Sequence, residues 1–444
     1  MSYQREVRRP SNFKEILAEA KKLLAVVQKY NRDAKNDSEE HVWEREYEPK
    51  WQEAFKQLAK LILESKTVAN LVSRDDLRER LQNVWLYEEK KPFFEFSDKD
   101  LENYLDYFFG RSDTYHFFFP LQLTGLPDGY SVGLSVVHEF NVLPEQLKTH
   151  LSQEWDYSLE GEKMSYGAET KEEYLEAKKR ETYFCFDVEA LGVFKAGEIA
   201  TRIANQSLNI IKTTYDFDLR KLARCYWTKG KGYGSVEPRS SYDPFGWFRH
   251  PNIPELERYA TTMTDMIRKA DNSEIAKKCL SAVDIYGLIE RETPVEVRFL
   301  LSVISLEAIL LGKNDKELIG MKLREKVAIL VGDTPAWFAE HLGKEDPTRE
   351  ECEANRVAAR IDLSKQVYDM YDKRSKFAHA DNEREKVTES DYRFATMIFR
   401  LSLQRVVSLY EKGIRMVAKA DTVDKESLDF LIEFQKYSTP LGWP

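Results

Sequence analysis

Cysteine is scarce in this chain. Cys185, Cys225, Cys279 and Cys352 are the only four in 444 residues, and no two form a CxxC pair. That spacing excludes the usual zinc-binding patterns and argues against a disulfide framework. No run approaches the roughly 18 apolar residues of a membrane span. The opening MSYQREVRRPSNFKEIL is basic but lacks an apolar h-region, so it does not read as a signal peptide. Positive charge is not in excess either: 67 Lys and Arg face 76 Asp and Glu, for a net charge of −9. A protein that coats nucleic acid by bulk electrostatics would be basic, so any RNA contact must come from a small site. Gly230, Gly232 and Gly234 do not complete GxxxxGK[ST], and HExxH and GxSxG are absent. His41, His116, His138, His150, His250 and His341 make no closely spaced pair. These absences point away from an NTPase, a metalloenzyme or a serine hydrolase. The expectation is a cytoplasmic protein with no cofactor and no metal.

What is present is apolar material for real cores, 42% hydrophobic and 12% aromatic, over a length that suggests two or three domains. Residues 1–90 read as a helical region. Ile16, Leu17, Ala20, Leu23, Leu24 and Val27 keep helical spacing behind Ser11 as a cap, and Trp51, Phe55, Leu58 and Ile62 repeat the pattern after Pro49. A third helix follows Ser73, with Leu77, Leu81 and Val84 along one side. Residues 91–280 read as an α+β domain, a sensor or substrate-selecting unit. FSDKDLENYLDYFFG is a short helix capped by Ser97, and YHFFFPLQLTG and GYSVGLSVVHEFNVLP are two strands that an LPDG turn joins as a hairpin. ETYFCFDVEALG is a further strand, and TKGKGYGSVEPRSSYDPFGWF a loop-rich end.

Residues 281–415 return to helix, and 416–444 hold one more, KESLDFLIEFQKY. Pro294 precedes VEVRFLLSVISLEAILLG, which ends at Gly312, and KELIGMKLREKVAILVG stops at Gly332. A later helix carries Val357, Ile361, Ser364, Tyr368 and Tyr371 on one stripe. The last opens on Thr388 and Asp391, which resemble a capping box, and closes before Gly413. Four helices with short connections make a bundle the natural architecture. The fold class is therefore mainly α with an α+β middle region.

At the end of the third of these helices stands VYDMYDKRSKFAHADN, with Arg374 and His379 five residues apart. On a straight helix that spacing separates them by about 140° and about 7.5 Å. They converge on one group only if the helix unwinds at the histidine or a second copy supplies one of them. The pair suits RNA phosphodiester chemistry. A histidine exchanges protons near neutrality, and an arginine offers a rigid fork to phosphate oxygens and to the negative charge of the transition state. RNA supplies its own nucleophile, the 2′-hydroxyl, so no metal is required. R-x4-H alone is a weak signal, since RSDTYH, Arg111 to His116, repeats it by chance. A surface arginine and a helix-terminal histidine stabilised by the dipole would look the same.

The order of helices, the LEA within RFLLSVISLEAILLG, YDKRSKFAH and the long closing helix resemble the HEPN superfamily, most closely its Apea-like branch, over roughly Pro294 to Lys412. The resemblance implies a HEPN-type four-helix bundle that pairs as a homodimer. It implies a metal-independent endoribonuclease leaving cyclic phosphate ends, with Arg374 and His379 as the catalytic pair. Ser375 takes the polar position after the arginine, and Glu307 the acidic position of LEA that orients it. Ala380 replaces the branch's usual glycine, and Asp381 stands where nucleotidylated HEPN toxins carry tyrosine. Related proteins in bacterial conflict systems imply a toxin or antiviral role, with a protein or phage-derived trigger. The alternative is a non-catalytic HEPN scaffold that dimerises and binds nucleotide or RNA. A third reading puts the activity in the middle region.

Two further features bear on partners. RKLARCYWTKGKGYG interleaves Arg224, Lys229 and Lys231 with Trp227, a pattern that grips single-stranded RNA or, more simply, a helix end and surface loop. In the closing helix Phe394, Met397, Ile398 and Leu401 lie on one side and Ala395, Phe399 and Leu403 on others, more than one bundle stripe needs. The excess predicts a two-fold interface with a second copy.

Overall fold

The computed structural model describes residues 10–34, 48–79, 95–110, 112–121, 128–149, 172–173, 176, 182–214, 225–229, 232–236, 253–270, 273–289, 293–312, 318–378 and 386–417. The chain is mainly helical, with one antiparallel sheet in its middle. Among the described residues no helix is long and apolar enough to cross a membrane. KESLDFLIEFQKY lies outside them.

The N-terminal helices are α1 (Phe13–Ala34), α2 (Glu48–Glu64), α3 (Lys66–Ala69) and α4 (Asp98–Gly110). The expected stripes are the buried ones: Ile16, Leu23 and Val27 meet Trp51, Phe55, Leu58 and Phe109 in a separate core. Ser11 stands too early to cap α1. The helix starts at Phe13, and Asn12 before it turns its amide to the Leu61 carbonyl at 2.9 Å. Ser97 caps α4 reciprocally with Asp100, Oγ to Oδ2 at 2.6 Å. Because α4 belongs to this core, the N-terminal packing unit runs past residue 90.

A buried carboxylate ties that unit to the next. Asp76 accepts from the Phe194 and Lys195 amides at 2.8 Å each, at the N-terminus of α5 (Val193–Thr214), where a negative charge meets the helix dipole. A Cβ on Gly192 would lie 2.1 Å from an Asp76 oxygen, so only glycine lets the chain pass. The region of Leu81 and Val84, expected to extend the helix after Ser73, lies outside the described residues.

The sheet contains β1 (Asp113–Leu121), β2 (Ser131–Val132), β3 (Ser135–Glu139), β4 (Thr182–Ala190), β5 (Cys225–Lys229) and β6 (Gly232–Val236), in the order β2-β3-β4-β1-β5-β6. The expected hairpin between β1 and the run after LPDG does not form. β4 lies between them, pairing with β1 from Asp113↔Ala190 to Leu121↔Thr182, and that full-length ladder outweighs the local turn. The hairpin that does form is β2–β3, with Val132 opposite Ser135. The TKGKGYG segment is likewise a strand pair where a loop was expected. Alternation sends Tyr115, Phe117, Phe119, Phe184 and Phe186 to one face, where Ala196, Ala200 and Ala204 let α5 approach.

Next come α6 (Ile253–Lys269), α7 (Glu274–Gly287), α8 (Val295–Leu310), α9 (Ile319–Val331), α10 (Pro335–Leu342), α11 (Arg349–Ala378) and α12 (Glu389–Val417). α8, α9, α11 and α12 pack beside one another, α8 chiefly on α12 and α9 on α11. No gap in packing marks residue 280, because α7 bridges α5 and α8 and one core runs from Tyr115 to Tyr410.

Three expectations change here. α12 continues through Gly413 to Val417. Ala395, Ile398, Phe399 and Leu403 are buried within the chain, Phe399 stacking on Tyr286 at 4.7 Å, so α7 covers part of the apolar excess read as a dimer face. The stripe of Val357, Ile361 and Tyr368 faces outward. α11 buries Cys352, Ala359, Leu363, Val367 and Met370 instead, a flatter set that admits the Trp337 indole to the Ala359 carbonyl at 2.9 Å.

Candidate active site at the end of the arginine helix

Arg374 lies in the last turns of α11, beside the C-terminal half of α8. Its Nη2 donates to Glu307 Oε2 at 3.0 Å, and both side chains are mostly buried, 21% and 17% exposed. The guanidinium carbon is 5.8 Å from the centre of the Tyr371 ring, one turn earlier on the helix. Tyr371 in turn sits on Gly320, where a Cβ would come 2.7 Å from the ring, so α9 begins with a glycine against this cluster.

The pair is held by one bond and leaves capacity unused. Arg374 Nε and Glu307 Oε1 are buried with no hydrogen-bond partner among the described residues. Buried polar atoms are ordinarily satisfied, so two orphans on one ion pair mark a place where another polar group would be welcome. Burial pushes the Glu307 carboxyl above its ordinary range, and the Arg374 charge and hydrogen bond only partly offset it. Tyr371 is also raised, first by burial and then by the Glu307 carboxylate.

The neighbouring turns are anchored. Thr388 and Asp391 form the expected capping box, with the Thr388 amide and hydroxyl each 2.7 Å from Asp391 Oδ2. Lys373 reaches Asp391 Oδ1 at 2.9 Å, fastening the end of α11 to the start of α12. Burial pulls the Asp391 carboxyl up, but these hydrogen bonds outweigh it and hold the group below its usual value. Between the two helices runs a groove of about 1050 Å³ with Met370, Lys373, Arg393, Met397, Arg400 and Leu401 among its lining. Arg393 and Arg400 carried no signal in the sequence beyond their spacing on the closing helix.

Of the expected site residues, Arg374 and Glu307 are brought together, and Ser375 follows on α11, half-buried. His379 lies outside the described residues, as do Arg224 and Lys231. The other two members of the basic-aromatic stretch are used in packing. Trp227 meets Tyr115 edge-on at 5.8 Å, and Lys229 pairs with Asp113 and covers the Tyr115 ring at 5.3 Å. The second R-x4-H histidine, His116, bonds Asp187 across the sheet at 2.5 Å. No family model matches the chain, and no curated protein or solved structure matches it significantly.

Proposed function

We propose that the chain is a cytoplasmic, metal-independent endoribonuclease, that α8, α9, α11 and α12 are its HEPN-type bundle, and that two copies together build the site. The observation that carries this reading is the Arg374–Glu307 pair near the end of α11: a guanidinium held by one carboxylate, with a buried donor that has no partner among the described residues, five positions before His379 in the sequence. Glu307 holds the fork in one orientation, as phosphate recognition requires.

In the reaction, His379 takes the proton of the RNA 2′-hydroxyl. That oxygen attacks phosphorus, the P–O5′ bond breaks, and the leaving oxygen is protonated by the second copy's imidazole, giving a 2′,3′-cyclic phosphate. Arg374 neutralises the charge that grows on the phosphoryl oxygens. Ser375 offers a hydroxyl beside it. The N-terminal and middle regions restrain the bundle or choose the RNA, and a protein or phage-derived trigger releases it, in line with a toxin or antiviral role.

The engagement of Arg374 by Glu307 also favours a second reading, a non-catalytic HEPN scaffold that dimerises and binds nucleotide or RNA. One experiment separates the two. Wild type, Arg374→Ala and His379→Ala are compared for RNA cleavage in EDTA, with folding checked by circular dichroism. Cleavage by the wild type and its loss in both variants is the expected result. No turnover on any RNA, with binding altered in the variants, supports the scaffold, and unchanged cleavage in either variant removes the assignment.

A further inference from the structure

The outward face of α11 is unusually apolar for a surface helix. Val357 is 71% exposed, Ile361 65% and Tyr368 45%, and helical repeat puts them on one ridge. Ala354 and Ala358 beside them are exposed too, so the ridge can be approached closely. Across the seam, Leu318 and Met321 at the start of α9 extend the apolar surface, and Arg324 lies over the Tyr368 ring at 5.4 Å. A contiguous apolar patch with a polar rim marks an interaction surface.

The charge of α11 identifies what covers it. Its first turn is acidic, with Glu350 and Glu351, and its last turn is basic, with Lys376. A second α11 laid antiparallel sets acidic end against basic end and opposes the two helix dipoles. With the two-fold axis between Ile361 and Ser364, Val357 and Ile361 of one copy meet Tyr368 and Ser364 of the other, and Glu350 comes level with Ser375, one residue before Lys376, which pairs with Asp372 on its own helix. We infer that this ridge is an isologous interface between two copies of the chain, distinct from the contact that would build the nuclease site. The distinction is geometric. Arg374 lies about 17 Å along the helix from that axis, so the two arginines end about 35 Å apart. An interface on this face cannot bring them to one phosphate. Copies that use both contacts close into a dihedral tetramer.

The inference does not depend on the nuclease reading. Its test is light scattering on the full chain at micromolar concentration, with Val357→Glu/Ile361→Glu compared with wild type. The expected result is a twofold fall in mass while any RNA cleavage per chain is kept. Unchanged mass overturns the proposal, and so does a fall in mass accompanied by loss of cleavage, which would make this ridge the catalytic contact. Absence of cleavage in the wild type, with the mass still halved in the variant, leaves this interface standing and removes only the nuclease. A second measurement uses a short bis-maleimide cross-linker: Ile361→Cys is expected to link two chains and Ala354→Cys, about 25 Å from its mate, is not. The reverse pattern overturns the antiparallel arrangement.

Discussion

Two stretches of this chain set cations among aromatics, and the fold treats them differently. Around β5, Lys229 covers Tyr115 and pairs with Asp113, while Trp227 packs on the same ring. Around the end of α11, Arg374 stands beside Tyr371 and pairs with Glu307, yet a buried donor and a buried acceptor of that pair have no partner among the described residues. Composition does not tell these apart. Burial does: Lys229 is 40% exposed and can turn its remaining donors to water, whereas Arg374 is 21% exposed and keeps Nε buried with no partner among the described residues.

The comparison breaks most sharply on substitution of the cations. Arg374→Lys keeps the charge and loses the fork, and cleavage is expected to fall about 10²-fold, whereas Lys229→Ala stays within about twofold, read as single-turnover rates. Glu307→Gln comes next. Cleavage drops about 10-fold because the guanidinium loses its orientation, while unfolding free energy changes by less than about 1 kcal/mol, since ionising this buried carboxyl is already unfavourable. The sign follows from its raised folded value: wild type loses stability as pH climbs through that value, and the Gln variant does not. Asp391→Asn costs about 1 kcal/mol at neutral pH by weakening the cap. The folded Asp391 value is depressed, so its contribution is complete above the unfolded value near 3.8 and fades as pH falls through the folded one. In denaturant titrations the gap between the two proteins is expected to narrow as pH falls below the unfolded value near 3.8. The smallest effect belongs to Lys229→Ala on stability, about 0–1 kcal/mol, as for a partly exposed pair.

Helices with one clear stripe were legible in the residues. The spacing of Trp51, Phe55, Leu58 and Ile62 names the buried face of α2, and Thr388 with Asp391 names the start of α12. Strand partners were not, because β1 pairs with β4 across more than sixty residues while the nearby turn offered a shorter ladder. The buried face of α11 is hidden for a different reason: the helix carries two apolar sets, and Val357, Ile361 and Tyr368 are the more conspicuous one although Ala359, Leu363, Val367 and Met370 are the buried one. α10 had a signal in Thr334 followed by Pro335, a cap and an N1 proline, but its eight residues are too few for periodicity to show. At the candidate site, Arg374 and Glu307 were named by resemblance. Their contact lies 67 positions apart in sequence, and the orphaned atoms beside it required coordinates.

The most direct test of the chemistry is end-group analysis, by mass spectrometry, of an RNA cut by the full chain in EDTA, beside the same strand made 2′-deoxy at the scissile residue. A 2′,3′-cyclic phosphate is expected from the first and no cut at that position in the second. A cut at the deoxy residue would contradict that chemistry.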